Sequence, residues 1–306
     1  MKLTTEELLK IVSDWKGSYE GSAFNIREDG ACAGRQSSKN IQIDSKEDAP
    51  GLVIHVKPYT KDETVYIPAC VTHSDVDDLV YNDFYIGKGA DVTIVAGCGV
   101  HTTDGHDARH NGIHRFFLEE DSRVLYEEKH VGTGNAKGLK IINPVTDADL
   151  KKNAVLTMDT SQLGGVDTTD RKTRAKLADG AKLYIKEHIL TEGIQTASTD
   201  FEVEMNGYES GVDLISRSVA KGNSVQHYHS VIRGKNKCSG HSECDAILVD
   251  DGKVGAQPEL IAESPDAALI HEAAIGKIAG EQILKLETLG LTEKEAEETI
   301  ISGFLK

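Results

Sequence analysis

The run "GADVTIVAG" (Gly89–Gly97) opens on a turn residue and continues with apolar positions at a period of two. The same cadence returns in "DSRVLYEEKH" (Asp121–His130), "DADLKKNAVLTMD" (Asp147–Asp159), "DGAKLYIKEHI" (Asp179–Ile189) and "SGVDLISRS" (Ser210–Ser218). Alternation of this kind, broken by Gly, Asp or Asn, predicts β-strands. Successive starts lie roughly 30 residues apart, the spacing of stacked β-coils or propeller blades rather than of βαβ units. With no helix-length pattern between them, the runs predict a mainly β chain, a solenoid or a sandwich, beginning near Ile41.

The two ends read differently. In "MKLTTEELLKIVSDW", Thr4 and Glu7 form a capping box, and Leu8, Leu9, Ile11, Val12 and Trp15 recur at helical spacing. At the other end, "GEQILKLETLGLTEKEAEETIISGFLK" predicts a helix ending at Gly290 and a second one capped by Thr292 with Glu295. The expected organisation is therefore an N-terminal helix within residues 1–18, a β-core over 19–277 and a helical segment over 278–306. The apolar positions Ile283, Leu286, Leu289, Ala296, Ile300 and Phe304 exceed what two isolated helices hide, so these helices cover the β-body or dock a partner.

Bulk composition narrows the function classes. A formal charge of -16 repels phosphate backbones and anionic membrane surfaces. No stretch approaches the ~20 consecutive apolar residues that span a bilayer, and the acidic start lacks the apolar segment of a signal peptide, which predicts a cytoplasmic protein. Five scattered cysteines, Cys32, Cys70, Cys98, Cys238 and Cys244, predict free thiols. The absence of GxxxxGK[ST], GxGxxG and GxSxG argues against ATP hydrolysis, a dinucleotide fold and a hydrolase elbow.

Three constellations carry possible chemistry. In "SVQHYHSV", His227 and His229 share one face of a strand and are able to hold one metal ion, or simply line a polar face. "GCGVHTTDGHDARHNGIHRFF" gathers His101, His106, His110 and His114 beside Cys98, in a loop leading into a strand. "GHSECDAILVD" (Gly240–Asp250) joins downstream with "DAALIHEAAIGKIAGEQI", where His271 and Glu272 are adjacent. Cys244 is a soft donor, and imidazole and carboxylate are borderline and hard ones, a mixture suited to iron or to a weakly held iron–sulfur centre. The alternative for Cys244 is a small buried strand residue. No CxxC pair exists, so a four-cysteine cluster or closed zinc site is excluded within one chain.

The stretches "VYNDFYIGKGADVTIVAGCGVH", "GIHRFFLEEDSRVLYEEKHVGTG", "RGKNKCSGHSECDAILVDD" and "PELIAESPDAALIHEAAIGKIAGEQILKLETLGLTEKEAEETIISGFL" together resemble the core of the SufB/SufD proteins of the SUF iron–sulfur cluster assembly system. The resemblance runs from about Arg35 onward. It implies a right-handed parallel β-helix with helical termini, a scaffold for a transient iron–sulfur cluster, and a SufC-like ABC ATPase docking on the C-terminal helices. It also implies dimerisation through the β-helices. Cys244 resembles the cysteine on which SufB assembles the cluster, His271 the histidine supplied by SufD, and Glu272 the carboxylate of SufB. One chain holding both halves implies a homodimer, with Cys244 of one subunit facing His271 or Glu272 of the other. The N-terminal part is shorter than in SufB, which implies a minimal two-component system and leaves the sulfur donor open; Cys238 and Cys98 are sulfur-accepting candidates by chemistry alone. Two rival readings are a structural SufD-like subunit that never ligates the cluster, and a metal-dependent β-helix enzyme using His227 and His229. Against the latter stands the 5% aromatic content, poor for stacking sugars.

Overall fold

The computed structural model describes residues 3–134 and 137–306. Two sheets, one of eleven strands and one of ten, face each other, and each coil of the chain contributes to both. Apart from two antiparallel pairs near the N-terminus, the strands run parallel. The chain is a parallel β-helix. Asp91, Arg123, Val155, Lys182, Gly211, Ser239 and Ala268 stand in one row across successive coils, in steps of 27 to 32 residues.

The corners explain why the recurring runs open as they do. Gly89, Asp121, Asn153, Gly180 and Glu209 all adopt positive φ, between 57° and 66°. Each is followed by a small buried residue, Ala90, Ser122, Ala154, Ala181 or Ser210. The backbone N–H at each of these corners donates to a carbonyl of the next coil, as in Asp121 N to Lys152 O at 3.0 Å and Glu209 N to Lys237 O at 2.7 Å. Gly, Asn and Asp reach the left-handed region at low cost, so these residues set the coil length.

Between the sheets lies a continuous apolar core in which equivalent side chains stack from coil to coil. Phe84 and Phe116, in adjacent coils, have ring centroids 4.6 Å apart and nearly parallel planes. All five cysteines are free, and only Cys32 is exposed.

Strand structure begins earlier than the sequence pattern predicts. Ala23–Glu28 and Ala31–Gln36 form an antiparallel hairpin. Its turn, Asp29-Gly30, has φ of 48° and 79°, the positive pair that a tight hairpin requires.

Helix α1 (Leu3–Ser13) lies on the outside of the first coils. Leu3 is already helical, so Thr4 sits inside the helix, and the expected Thr4–Glu7 cap is not formed; Thr5 instead donates to Glu28 at 2.8 Å. Leu8, Leu9 and Val12 are buried, whereas Ile11 is 49% exposed. The helix approaches closely because Gly97 and Gly99 carry no side chains: a Cβ on Gly97 would lie 2.2 Å from the Val12 carbonyl oxygen.

Helices α2 (Gly280–Glu287) and α3 (Glu293–Phe304) follow the last strand. Thr292 caps α3 with Glu295 in the reciprocal arrangement read from the sequence. α2 buries none of its described residues and α3 only Ala296, while Leu284 and Leu289 are largely exposed. Lys221 ties α3 to the β-helix through Glu297 at 2.7 Å. No helix among the described residues is long and apolar enough to cross a membrane.

Gly97→Leu tests the docking of α1. The clash with Val12 is expected to destabilise the protein by ~1–3 kcal/mol and to release α1, measured as a lower Tm and faster proteolysis within residues 3–13. An unchanged Tm would show that the helix does not depend on this glycine.

Candidate functional site

Parallel register places one inward-facing row through the β-helix: Ala96, Glu128, Thr160, Glu187, Ser216, Cys244 and Ala273. Its polar members are buried and hydrogen-bonded, Thr160 to the Lys186 carbonyl and the two glutamates to side chains. Arg171, itself buried, donates to Glu128 at 2.7 Å and lies 3.3 Å from Glu187. Glu187 also accepts from Thr199 and Ser216, each at 2.9 Å. Burial raises both carboxyls, but His130 and Arg171 outweigh it at Glu128, whose carboxyl falls well below the usual range. At Glu187 burial prevails over Arg171 and the two hydroxyls, and its carboxyl is raised. One guanidinium thus serves two carboxyls whose affinities for a proton diverge.

The histidine-rich segment splits between exterior and interior. His106 lies in an exposed loop, whereas His110 and His114 point inward from the strand Ala108–Leu118. His110 bonds Asp78 at 3.0 Å, and Asp78 also receives the Arg27 guanidinium. His114 bonds the Tyr126 hydroxyl at 2.7 Å, and that hydroxyl donates to Glu128. Cys98 borders a cavity of about 20 Å³ shared with these histidines, room for a single water. Burial holds the Cys98 thiol well above its ordinary value.

Cys244 lies on the inner face of the strand Cys238–Leu248, next to the terminal coil, and is 1% exposed. Burial, with Glu187 adding to it, pushes its thiol up to about 12, so a lone chain at neutral pH carries it protonated. Beyond it the terminal strand, Ala267–Lys277, sets only Ala273. His271 projects from the same inner face, in register with Ser242, and its Nδ1–H donates to the Ser242 carbonyl at 2.9 Å. A carbonyl only accepts, so the proton is fixed on Nδ1 and the Nε2 lone pair is left available as a ligand.

Glu272 points the other way. Alternation along a strand sends adjacent residues to opposite faces, so Glu272 stands outside, level with Glu243 of the neighbouring coil. There His241, Glu243 and Glu272 place a ring nitrogen and two carboxylate oxygens all within 4.8 Å of one another. The His241 Nδ1–H donates to Asp213 at 2.8 Å. Cys244, His271 and Glu272 thus occupy one end of the β-helix without converging within one chain.

The remaining sequence candidates are also placed. His227 and His229 share the outer face of the strand Val225–Gly234, as their spacing predicts. His229 contacts Asp200 at 2.9 Å through Nδ1 and Glu259 at 3.3 Å through Nε2. Burial lowers its basicity, but the two carboxylates outweigh this and hold it raised. Cys238 is buried on the inner face, its thiol raised by burial. Sequence reasoning missed the interior network and the outer trio. The visible signal for the trio was His241 and Glu243 at i and i+2, with Glu272 29 residues after Glu243, one coil later.

The terminal coil leaves apolar surface bare. Leu260, Ile270 and Ile275 are 36%, 57% and 40% exposed at the C-terminal end of the β-helix. The outer edges of its last strands have no partner among the described residues.

The interior has a pH signature. Burial lowers His114 from 6.5 to about 4, so the unfolded chain takes up this proton before the native protein does. Native stability therefore falls as pH drops from about 6.5 toward 4 and is untouched by this group above that window. The Tm of the wild type is expected to fall between pH 7.5 and pH 5, and His114→Gln to shrink that difference; an equal drop in the variant would clear His114 of the effect.

The family model described as "SUF system FeS cluster assembly, SufBD core domain" matches residues 81–304. An iron–sulfur cluster assembly SufBD family protein of Archaeoglobus fulgidus is 28% identical over 263 residues, covering 85% of this chain and 69% of its own length. A SufBD family protein of Methanothermobacter thermautotrophicus is 27% identical over 267 residues, and this chain spans 62% of its length. One from Methanocaldococcus jannaschii is 21% identical over 278 residues, covering 88% of this chain and 86% of the relative.

Proposed function

The chain belongs to the SufBD family of iron–sulfur cluster assembly proteins, and from that premise we propose that it is a scaffold on which a transient cluster is built at the C-terminal end of the β-helix. The observation that carries the reading is the position of Cys244: an inward thiol one coil from the open end, on the same inner face as His271, which stands two residues from the position level with Cys244 and has its Nε2 free. Iron and sulfide are cargo here, not resident cofactors. Binding of iron displaces the thiol proton that burial otherwise retains, and the thiolate and the His271 imidazole then hold the nascent cluster. Few thiolates leave it exchangeable toward the cysteines of an acceptor protein.

Two copies meeting at their terminal coils would complete the site. The bare apolar residues Leu260, Ile270 and Ile275 and the unpaired strand edges support that arrangement, because such an edge is otherwise an aggregation hazard. Exposed Leu284 of α2 and Leu289 between the helices, with the half-buried Ile300 and Phe304 of α3, offer a docking face for a SufC-like ABC ATPase, whose nucleotide cycle would shift the coils against each other. A cytoplasmic setting and the absence of catalysis by the chain itself belong to the same reading.

One observation favours a second reading. Cys244, His271 and Glu272 do not converge within a chain, and the thiol is buried, which also suits a SufD-like subunit that shapes the complex without ligating the cluster. Anaerobic reconstitution with ferrous iron and sulfide separates the two. The scaffold reading expects sulfide-dependent visible absorption in the wild type and its loss in Cys244→Ser, with the circular dichroism of the variant unchanged. Equal absorption in both proteins, or none in either when the ATPase is added, transfers the assignment to the structural subunit.

A further inference from the structure

We propose that His241, Glu243 and Glu272 form a binding site for a divalent first-row transition-metal ion on the outer face of the last two coils, separate from Cys244. Their ligand atoms all lie within 4.8 Å of one another, the only such grouping of His, Cys, Asp and Glu side chains among the described residues. Parallel register fixes the arrangement. Glu243 and Glu272 are directly level on neighbouring strands, and His241 stands two residues before Glu243 on the same face.

The histidine is prepared as a ligand. Asp213, one coil back and level with His241, accepts from its Nδ1–H at 2.8 Å. That bond fixes the tautomer and leaves the Nε2 lone pair turned toward Glu272, 4.0 Å away. A carboxylate behind a histidine in this way is the usual support of a metal-bound imidazole. His229 makes the contrast: both of its nitrogens lie within hydrogen-bond distance of a carboxylate, Asp200 at 2.9 Å and Glu259 at 3.3 Å, whereas only Nδ1 of His241 does.

Charge points the same way. Like charges level on adjacent strands repel, and on the opposite sheet the neighbouring acids Glu263 and Glu204 are each paired with a base, Arg233 and Lys235. Neither Glu243 nor Glu272 has a lysine or arginine within ion-pair reach among the described residues. A bound dication supplies the missing charge. One borderline nitrogen and two hard oxygens, open to water on the outside, suit Fe(II), Mn(II), Co(II) or Zn(II) bound reversibly, with no thiolate. That the physiological ion is ferrous iron rests on the scaffold reading; the site itself does not.

Anaerobic titration of the full chain with Co(II), without sulfide, tests the proposal. One Co(II) per chain is expected, with ligand-field bands of nitrogen and oxygen ligation and no thiolate-to-cobalt charge transfer. His241→Ala, Glu243→Gln and Glu272→Gln should each weaken binding at least tenfold, and Asp213→Asn, acting only through His241, by roughly tenfold to a hundredfold. Cys244→Ser should bind as the wild type does. No binding by the wild type, undiminished binding in His241→Ala and Glu243→Gln, or a charge-transfer band lost in Cys244→Ser would each overturn the proposal. Failure of the scaffold reading is read separately, from sulfide-dependent absorption at Cys244, and leaves the cobalt result intact.

Discussion

In-register stacking of parallel coils is the constraint on which the rest of this molecule depends. Because each coil repeats its corner after 27 to 32 residues, a side chain at one level meets its counterpart on the next coil at the strand spacing of ~4.8 Å. Residues far apart in sequence therefore become neighbours in rows. The row that contains Glu128, Glu187, Ser216 and Cys244 and the outer trio of His241, Glu243 and Glu272 are both products of register. A one-residue slip would exchange every inner and outer side chain.

The same rule makes the interior more polar than a β-core needs to be. Glu128, Glu187 and Arg171 are buried among apolar rows and satisfied by one another and by hydroxyls. Such a network is costly to break at one member, since removing Arg171 alone would leave a buried carboxylate unpaired. It also sets the electrostatic surroundings of Cys244, whose thiol is held protonated by burial and by the nearby Glu187.

Much of this was legible in the sequence. The period of the runs gave the coils, Gly89 and Asp121 open their runs as positive-φ corners while Asn153, Gly180 and Glu209 mark the corners of the others, and Thr292 with Glu295 marked the last helix. The Asp29-Gly30 hairpin went unread although its dipeptide is a two-residue turn signal, because it precedes the region where alternation becomes regular. Thr4 read as a cap because the pattern cannot tell that Leu3 is already helical. At the site, the sequence brought Cys244, His271 and Glu272 to one end of the chain, and all three lie on the last two coils. Their facing was not legible: it depends on which parity of the terminal strand turns inward, and His271 and Glu272, being adjacent, had to part. His241 and Glu243 were hidden because their partner Glu272 lies one coil away, and only the register of that coil joins them.

The central claim is that a cluster is held at Cys244 where the open ends of two chains meet. Native mass spectrometry of the anaerobically reconstituted protein tests it directly. The account predicts that the mass of iron and sulfide rides on a dimer and is missing from monomers and from Cys244→Ser. The same mass carried by a monomer, or retained on the dimer of Cys244→Ser, would contradict it.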